Sequence, residues 1–395
     1  MSKLDDLINE FCPNGVEFKR LDHCCNILDN LRKPVRKSDR QSGIYPYYGA
    51  NGILDYVSNF LFEGEFVLVG EDGSVVTKYG KPIVNWATGK IWVNNHAHVI
   101  RESDGVILRY LFHYLQTVDI SEYVHGNIPK LNGIDFKALQ IPIPPLPIQK
   151  EIVRILDKFT ELTTELTTEL TLRKKQYEYY RDFLLSDEQL GDEVKIYNLQ
   201  QLLLNLTDGM HNLPKIISKN TTNHPIISAQ NINKGKVTFD TSKYVDEETF
   251  QQYNKRTKIE SNDVLMTVVG AIGRVAVYKY DIKPLFQRSV CVMKPNVELI
   301  NPSFLKYILE SSKINGYIQN NAHGAAQKGI YMKQVAEIPI PLPPLAVQER
   351  VVKILDKFDS LVNDLSKGLP AEIESRKKQY EYYRDKLLSF KNIEE

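Results

Sequence analysis

Cysteine is scarce here: Cys12, Cys24, Cys25 and Cys291 are the only ones in 395 residues, and no pair has C-x-x-C spacing. That pattern argues against a disulfide framework or a cysteine-built zinc site and predicts reduced thiols in a cytoplasm. Long apolar runs are missing, and the N-terminal MSKLDDLINE has neither a basic n-region nor an apolar h-region, so no export signal or membrane span is expected. Charge of one sign is also lacking, with 50 basic residues against 49 acidic. The balance holds locally: residues 1–140 carry 15 basic and 17 acidic, and residues 187–337 carry 18 and 15. Composition therefore gives little support for nucleic-acid binding, which would need local patches or a basic partner. No G-x-x-x-x-G-K-[ST] loop and no nucleophile, base or nuclease constellation is found, so the chain reads as a non-enzyme.

What is there is a duplication. The decapeptide RKKQYEYYRD occurs at Arg173 to Asp182 and again at Arg376 to Asp385. Each copy follows a matching lead, IPIPPLPIQKEIVRILDKF from Ile141 and IPIPLPPLAVQERVVKILDKF from Ile338. The prolines Pro142, Pro144, Pro145 and Pro147 predict extended chain. From about Gln149 to Ser186 there is no glycine or proline, and Ile152, Leu156, Phe159, Leu162, Leu166 and Leu170 recur at helical spacing. The middle of this helix is the unit TELT three times, at Thr160, Thr164 and Thr168. The second copy is longer, with 17 residues rather than 13 between phenylalanine and decapeptide, and holds Gly368 and Pro370. A break near Gly368 and a restart with Pro370 in the first turn are expected.

Outside the helices the chain falls into two heads. Runs such as YPYYGANGILDYV, EFVLVGEDGSVV and KPIVNWATGKIWV predict strands and tight turns, and Gly105 to Thr117 a helix. The second head repeats this plan loosely, with VKIYNL for VEFKRL and FLKYIL for YLFHYL. The boundaries are 1–140 and 187–337 for the heads, and 141–186 and 338–395 for the leads and helices.

Several motifs resolve to ordinary structure. NPSF at Asn301 to Phe304 is one residue from the N-P-P-[FY] signature of amino-methyltransferases, but Asn as N-cap and Pro302 at the first helical position explain it, and no glycine-rich fingerprint for S-adenosylmethionine accompanies it. His96 and His98 share a strand face, without a cluster to complete a metal site. The glycine pairs Gly70 to Gly73 and Gly270 to Gly273 read as tight turns rather than phosphate loops. The best local basic patch is Arg32, Lys33, Arg36, Lys37 and Arg40, followed by Tyr47 and Asn51. Arginine and lysine beside aromatics and amides suit phosphate positioning with base-edge contact, and a solvated loop is the equal alternative. In the second head the candidates are more scattered: His211, Lys215, Lys219, Gln230, Asn231, Lys234, Arg274, Gln287 and Arg288.

Two variable heads, each followed by a proline-rich lead and a long helical stretch ending in RKKQYEYYRD, with T-E-L-T units in the first, resemble the DNA-specificity subunit of type I restriction-modification systems along the whole chain. The resemblance implies an α+β fold: two pseudo-repeated mixed α/β target-recognition domains separated by two long helices packed as an antiparallel coiled coil. It implies that each head reads one half of a bipartite site in double-stranded DNA. It further implies that S-adenosylmethionine belongs to two modification subunits, and ATP and Mg to restriction subunits where these are present. The identical decapeptides are then expected to dock the modification subunits, with Tyr177, Tyr180, Arg181, Tyr380, Tyr383 and Arg384 as contacts. A coiled-coil scaffold presenting two protein-binding heads is the other class of function, and a self-contained methyltransferase is disfavoured by the missing cofactor motif.

Overall fold

The computed structural model describes residues 3–73, 75–125, 128–217, 224–254, 258–324, 328–364 and 367–393. The chain divides into two units, one made of residues 1–165 with 374–395, the other of 166–373. The long helix Leu146–Leu184 crosses this division within its TELT repeats, at Glu165/Leu166. Its 39 residues extend for roughly 58 Å.

In unit 1 the six-stranded sheet has the order Asn26–Ile27, Ala97–Arg101, Phe62–Gly70, Val84–Val93, Ser42–Gly49, Gly52–Val57. All neighbours are antiparallel except Ser42–Gly49 beside Val84–Val93. Both faces of the sheet are covered, and the period-2 alternation of the central strand sorts its side chains. Val67 and Val69 enter the core shared with the helix Leu108–Leu115, with Ile152 and Leu156 of the long helix and with Leu388. Phe66 and Leu68 point the other way, into a smaller core with Ile91, Val93 and Val99.

Unit 2 repeats the logic. Its four-stranded sheet is ordered Leu203–Asp208, Val290–Pro295, Val264–Thr267, Val275–Val277. Val264 and Met266 face a core built with the helix Pro302–Glu310, with Tyr177 and Leu185, and with Val351, Leu355 and Val362. Leu265 faces a second core with Ile227, Phe286 and Val292. A three-stranded sheet of Lys243–Val245, His224–Ile227 and Leu285–Phe286 supplies Ile227 and Phe286 to that second core.

The leads behave alike in both units. Phe18–Arg20 pairs antiparallel with Gln140–Pro142, and Lys195–Asn198 with Pro339–Leu342. Pro147 departs from the expectation of extended chain: it lies inside the first helical turn, where an N–H has no intrahelical acceptor and its loss costs nothing. The expected helix over 105–117 is shorter, Leu108–Leu115. The expected interruption is present, with helices Leu345–Asn363 and Gly368–Leu387. Gly368 has φ +70°, and a Cβ there would lie 2.6 Å from the Leu361 carbonyl oxygen, so only glycine is free of strain at this position. Asn301 caps Pro302–Glu310 by accepting hydrogen bonds from the Ser303 and Phe304 N–H groups, as the helix-start reading of NPSF requires. Gly73, Gly270 and Gly273 all have positive φ, in keeping with the turn reading.

Candidate nucleic-acid interface

Polar side chains that read a ligand must keep hydrogen-bonding capacity unspent by the protein itself. On that criterion the candidate residues separate cleanly.

In unit 1, Arg32 is spent. Its guanidinium lies 2.6 Å from Glu71 and 3.5 Å from Asp29 and donates to the Ala97 carbonyl, with the side chain only 12% exposed. His98 binds Asp29 at 2.6 Å and the Leu131 carbonyl at 3.0 Å. Asp29, Glu71 and His98 have the separations of a metal site, but Arg32 already pairs with both carboxylates and both His98 ring nitrogens are hydrogen-bonded. His96 pairs instead with Asp72, so the two histidines share no site. Tyr47 is buried, its hydroxyl bonded to the Val35 backbone and its ring under the Arg40 guanidinium at 4.3 Å. Arg40 also pairs with Asp55 at 3.2 Å, and hydrogen bonds from the Tyr56 N–H and from Arg40 hold the Asp55 carboxyl below its ordinary pKa. Both side chains shape the loop from within. Lys33, Arg36 and Lys37 are exposed and make no side-chain hydrogen bond or ion pair among the described residues, and Asn51 stands exposed in the turn between Ser42–Gly49 and Gly52–Val57. Lys33 and Arg36 line a cleft of about 500 Å³ with Arg40, Gln41, Asn59 and Trp92.

In unit 2, Asn231 is the spent residue. Its oxygen accepts from the Ser228 N–H and hydroxyl, and its amide donates to the Thr238 carbonyl and the Ser242 hydroxyl. Gln230, Arg274 and Gln287, scattered over 58 positions of sequence, converge on one cleft of about 450 Å³. None of the three side chains has a partner among the described residues. Lys215 and Arg288 are exposed outside this cleft, and Lys219 lies outside the described residues.

The decapeptides are placed differently from the expectation. Tyr177 is buried in the unit 2 core, where burial pushes its hydroxyl pKa up. Arg181 is also buried and lies beside Asp182, which accepts the Ser312 N–H. In unit 1, Tyr380 donates to Nδ1 of buried His113 at 2.8 Å, and Arg384 pairs with Asp385. Tyr180 stacks on Phe358 and Tyr383 on Phe159. Tyr177 and Tyr380 thus seat each decapeptide against the head of the other repeat, while Tyr180 and Tyr383, 37% and 40% exposed, stack on the long helices. Outward on both helices stand Tyr179, 66% exposed, and Tyr382, 61% exposed, neither among the expected contacts. The helical offset was the available signal: Tyr177 and Arg181 are four apart on one face, and Tyr179 lies between them on the other.

Two further pairs escaped notice. Gln149 accepts the Ile107 N–H and donates to the Gly105 and Pro144 carbonyls, and Gln348 does the same with Asn301, Leu299 and Pro343. Asp157 receives His113 and Arg109, while its counterpart Asp356 receives Tyr307. Heads of different sequence thus grip the same lead glutamine and aspartate.

The profile described as type I restriction modification DNA specificity domain matches residues 13–173 and 213–375. The chain belongs to this family. It is 39% identical over 389 residues to a putative type I restriction enzyme specificity subunit of Haemophilus influenzae, covering 95% of this chain and 96% of that one. A type I restriction enzyme specificity subunit of Escherichia coli is 34% identical over 307 residues, covering 73% and 72%. Among solved structures, the S subunit of a type I restriction-modification system from M. genitalium matches with TM-score 0.54 at 16% identity, covering 95% of this chain and 96% of that one. A chain from a structural study of complex assembly in the type I system matches with TM-score 0.55 at 17% identity, covering 96% and 98%. These two share the fold: heads of helix and sheet joined to long helices. No helix among the described residues is long and apolar enough to cross a membrane.

Proposed function

We propose that this chain is the DNA-reading, non-catalytic subunit of a type I restriction-modification assembly, each head contacting one half of a bipartite duplex target. The observation that carries the reading is the pair of clefts. Each head keeps unpaired cationic or amide side chains at one cleft, while neighbouring candidates such as Arg32 and Asn231 are spent on the fold. Lys33, Arg36 and Lys37 supply phosphate contacts in the first head, and Gln230, Arg274 and Gln287 supply base contacts in the second. The long helices fix the gap between the half-sites, and Tyr179 and Tyr382 meet two modification subunits. The methyl donor resides on those subunits, and ATP and Mg on restriction subunits where these take part.

Methylome sequencing of cells carrying the chain with its modification subunit tests the assignment. Wild type should mark one interrupted motif. Combined Lys33→Ala, Arg36→Ala and Lys37→Ala should weaken methylation across all sites without altering the motif, since phosphate contacts carry no sequence information. A purified complex that binds every duplex alike would overturn the DNA reading and favour a scaffold with protein-binding heads.

A further inference from the structure

The chemistry lining the second head's cleft is narrow enough to name the bases it takes. Two cations, Arg274 and Lys243, line it with neither a carboxylate nor an aromatic ring among the described residues. A flipped base or a single strand is held by stacking, and this cleft offers no ring to stack on. Its polar groups are the long ends of Arg274, Lys243, Gln230 and Gln287 and the hydroxyls of Thr241, Ser228 and Ser289, the last two already bonded to Asn231 and the Ala229 N–H; the long ends suit the edges of bases that stay stacked in a duplex.

Those ends are carried on fixed backbone. Buried Thr267 accepts the Arg274 N–H at 2.9 Å, and its own N–H donates to the Arg274 carbonyl at 2.9 Å. The Gln287 N–H donates to Ile227, and the Gln287 carbonyl accepts the Val290 N–H, both at 2.9 Å. Gln230 sits in a short turn closed by the four hydrogen bonds of Asn231. Side chains free at the tip and fixed at the root are the arrangement that direct readout needs. A guanidinium offers donors only and matches guanine O6 and N7. A carboxamide offers one donor and one acceptor and matches adenine N6 and N7. Cytosine N4 is a donor best met by a carboxylate, and the cleft has none.

Building on the DNA-reading function above, we infer that the second head reads purine edges in the major groove of one half-site, Arg274 taking a guanine and Gln287 an adenine. Asn231 and Thr267 are positioning residues that act through the readers.

The test uses the purified complex of this chain with its modification subunits, competed with duplexes that carry every single base-pair change across the methylated motif. Wild type should discriminate at a G·C and an A·T pair within one half-site. Arg274→Ala should reduce discrimination at that single G·C by roughly ten- to a hundred-fold, and Arg274→Lys should fail to restore it. Gln287→Ala should do the same at the A·T pair. The other half-site should be unchanged in every variant, which also shows that the complex is intact. Uniform weakening with a shallower salt dependence would make Arg274 a phosphate contact and overturn the inference, as would an unaltered profile. A wild-type complex without sequence preference would instead bring down the DNA reading itself.

Discussion

At the scale of single residues, the clasp and the latch between lead and head make distinct predictions. Gln348 is fully buried and satisfies three backbone groups at once, from Asn301, Leu299 and Pro343. Gln348→Leu keeps the volume and orphans all three, so unit 2 should lose about 2–4 kcal/mol, measured as a lowered calorimetric transition. His113 lies buried between Asp157 and Tyr380, with Arg109 and Arg384 nearby. Burial lowers its pKa, and the Asp157 hydrogen bond opposes that only in part. Burial also works against the Asp157 carboxylate, but His113 and Arg109 outweigh it and hold that pKa below the ordinary value. For a histidine lowered on folding, the unfolded chain binds the proton first as pH falls. Stability is therefore complete above about pH 6.5 and declines from there down toward the folded pKa, with the Asp157 contribution lost only below about pH 4. Amide-exchange protection of residues 108–115 and 376–387, corrected for intrinsic rates, should fall between pH 7.5 and 5.5 in wild type and fall less in His113→Gln. Equal falls in both would remove His113 from the account. None of this was legible beforehand, because a lone glutamine or histidine in a sequence carries no sign of its partner 42 or 267 positions away.

Among elements, the helices were the most legible part and the strand runs the next. Leu162, Leu166 and Leu170 are half-buried as the stripe demanded, and the break before Gly368 follows from glycine and proline placed where one helix stops and another starts. The threonines between them settle into the helix by bonding backward: Thr160 to the Asp157 carbonyl, Thr164 to Thr160, and Thr171 to Thr167. One TELT unit adds roughly 6 Å and about 40° of rotation, against about 3.4 Å and 35° for a base pair. Deleting Thr164 to Thr167 should therefore shorten the unspecified gap in the target, by one base pair, and leave both half-sites unchanged. Methylome sequencing of the deletion strain checks this, and an unaltered gap would show that the helix is not the ruler. Within the heads, spacing could not separate readers from framework. Arg32 and Arg36 sit four apart in one basic run, yet the first is bound to Glu71 and Asp29 and the second is free among the described residues. What divides them is Glu71, brought up just past the end of strand Phe62–Gly70, and Asp29 in the turn before Arg32.

For the whole molecule, near-neutral charge sets the affinity. With 50 basic residues against 49 acidic, the chain alone neutralises few phosphates, so it should bind duplex DNA weakly at physiological salt and tightly only with its modification subunits. Fluorescence anisotropy of chain and complex compares the two, and nanomolar binding by the chain alone would contradict it. The division of the chain also sets an order of events during synthesis. Unit 2 is continuous, 166–373, whereas unit 1 closes its core with Leu388 and its latch with Tyr380, and bridges Val16 to Asn392. At roughly 5–20 residues per second, the 230 residues from 166 to 395 take about 10–45 s to emerge. The first head to leave the ribosome is therefore the last to be finished. Its apolar helix seat waits through that interval for the final turn of the chain, and protease protection of stalled nascent chains should appear in unit 2 before unit 1.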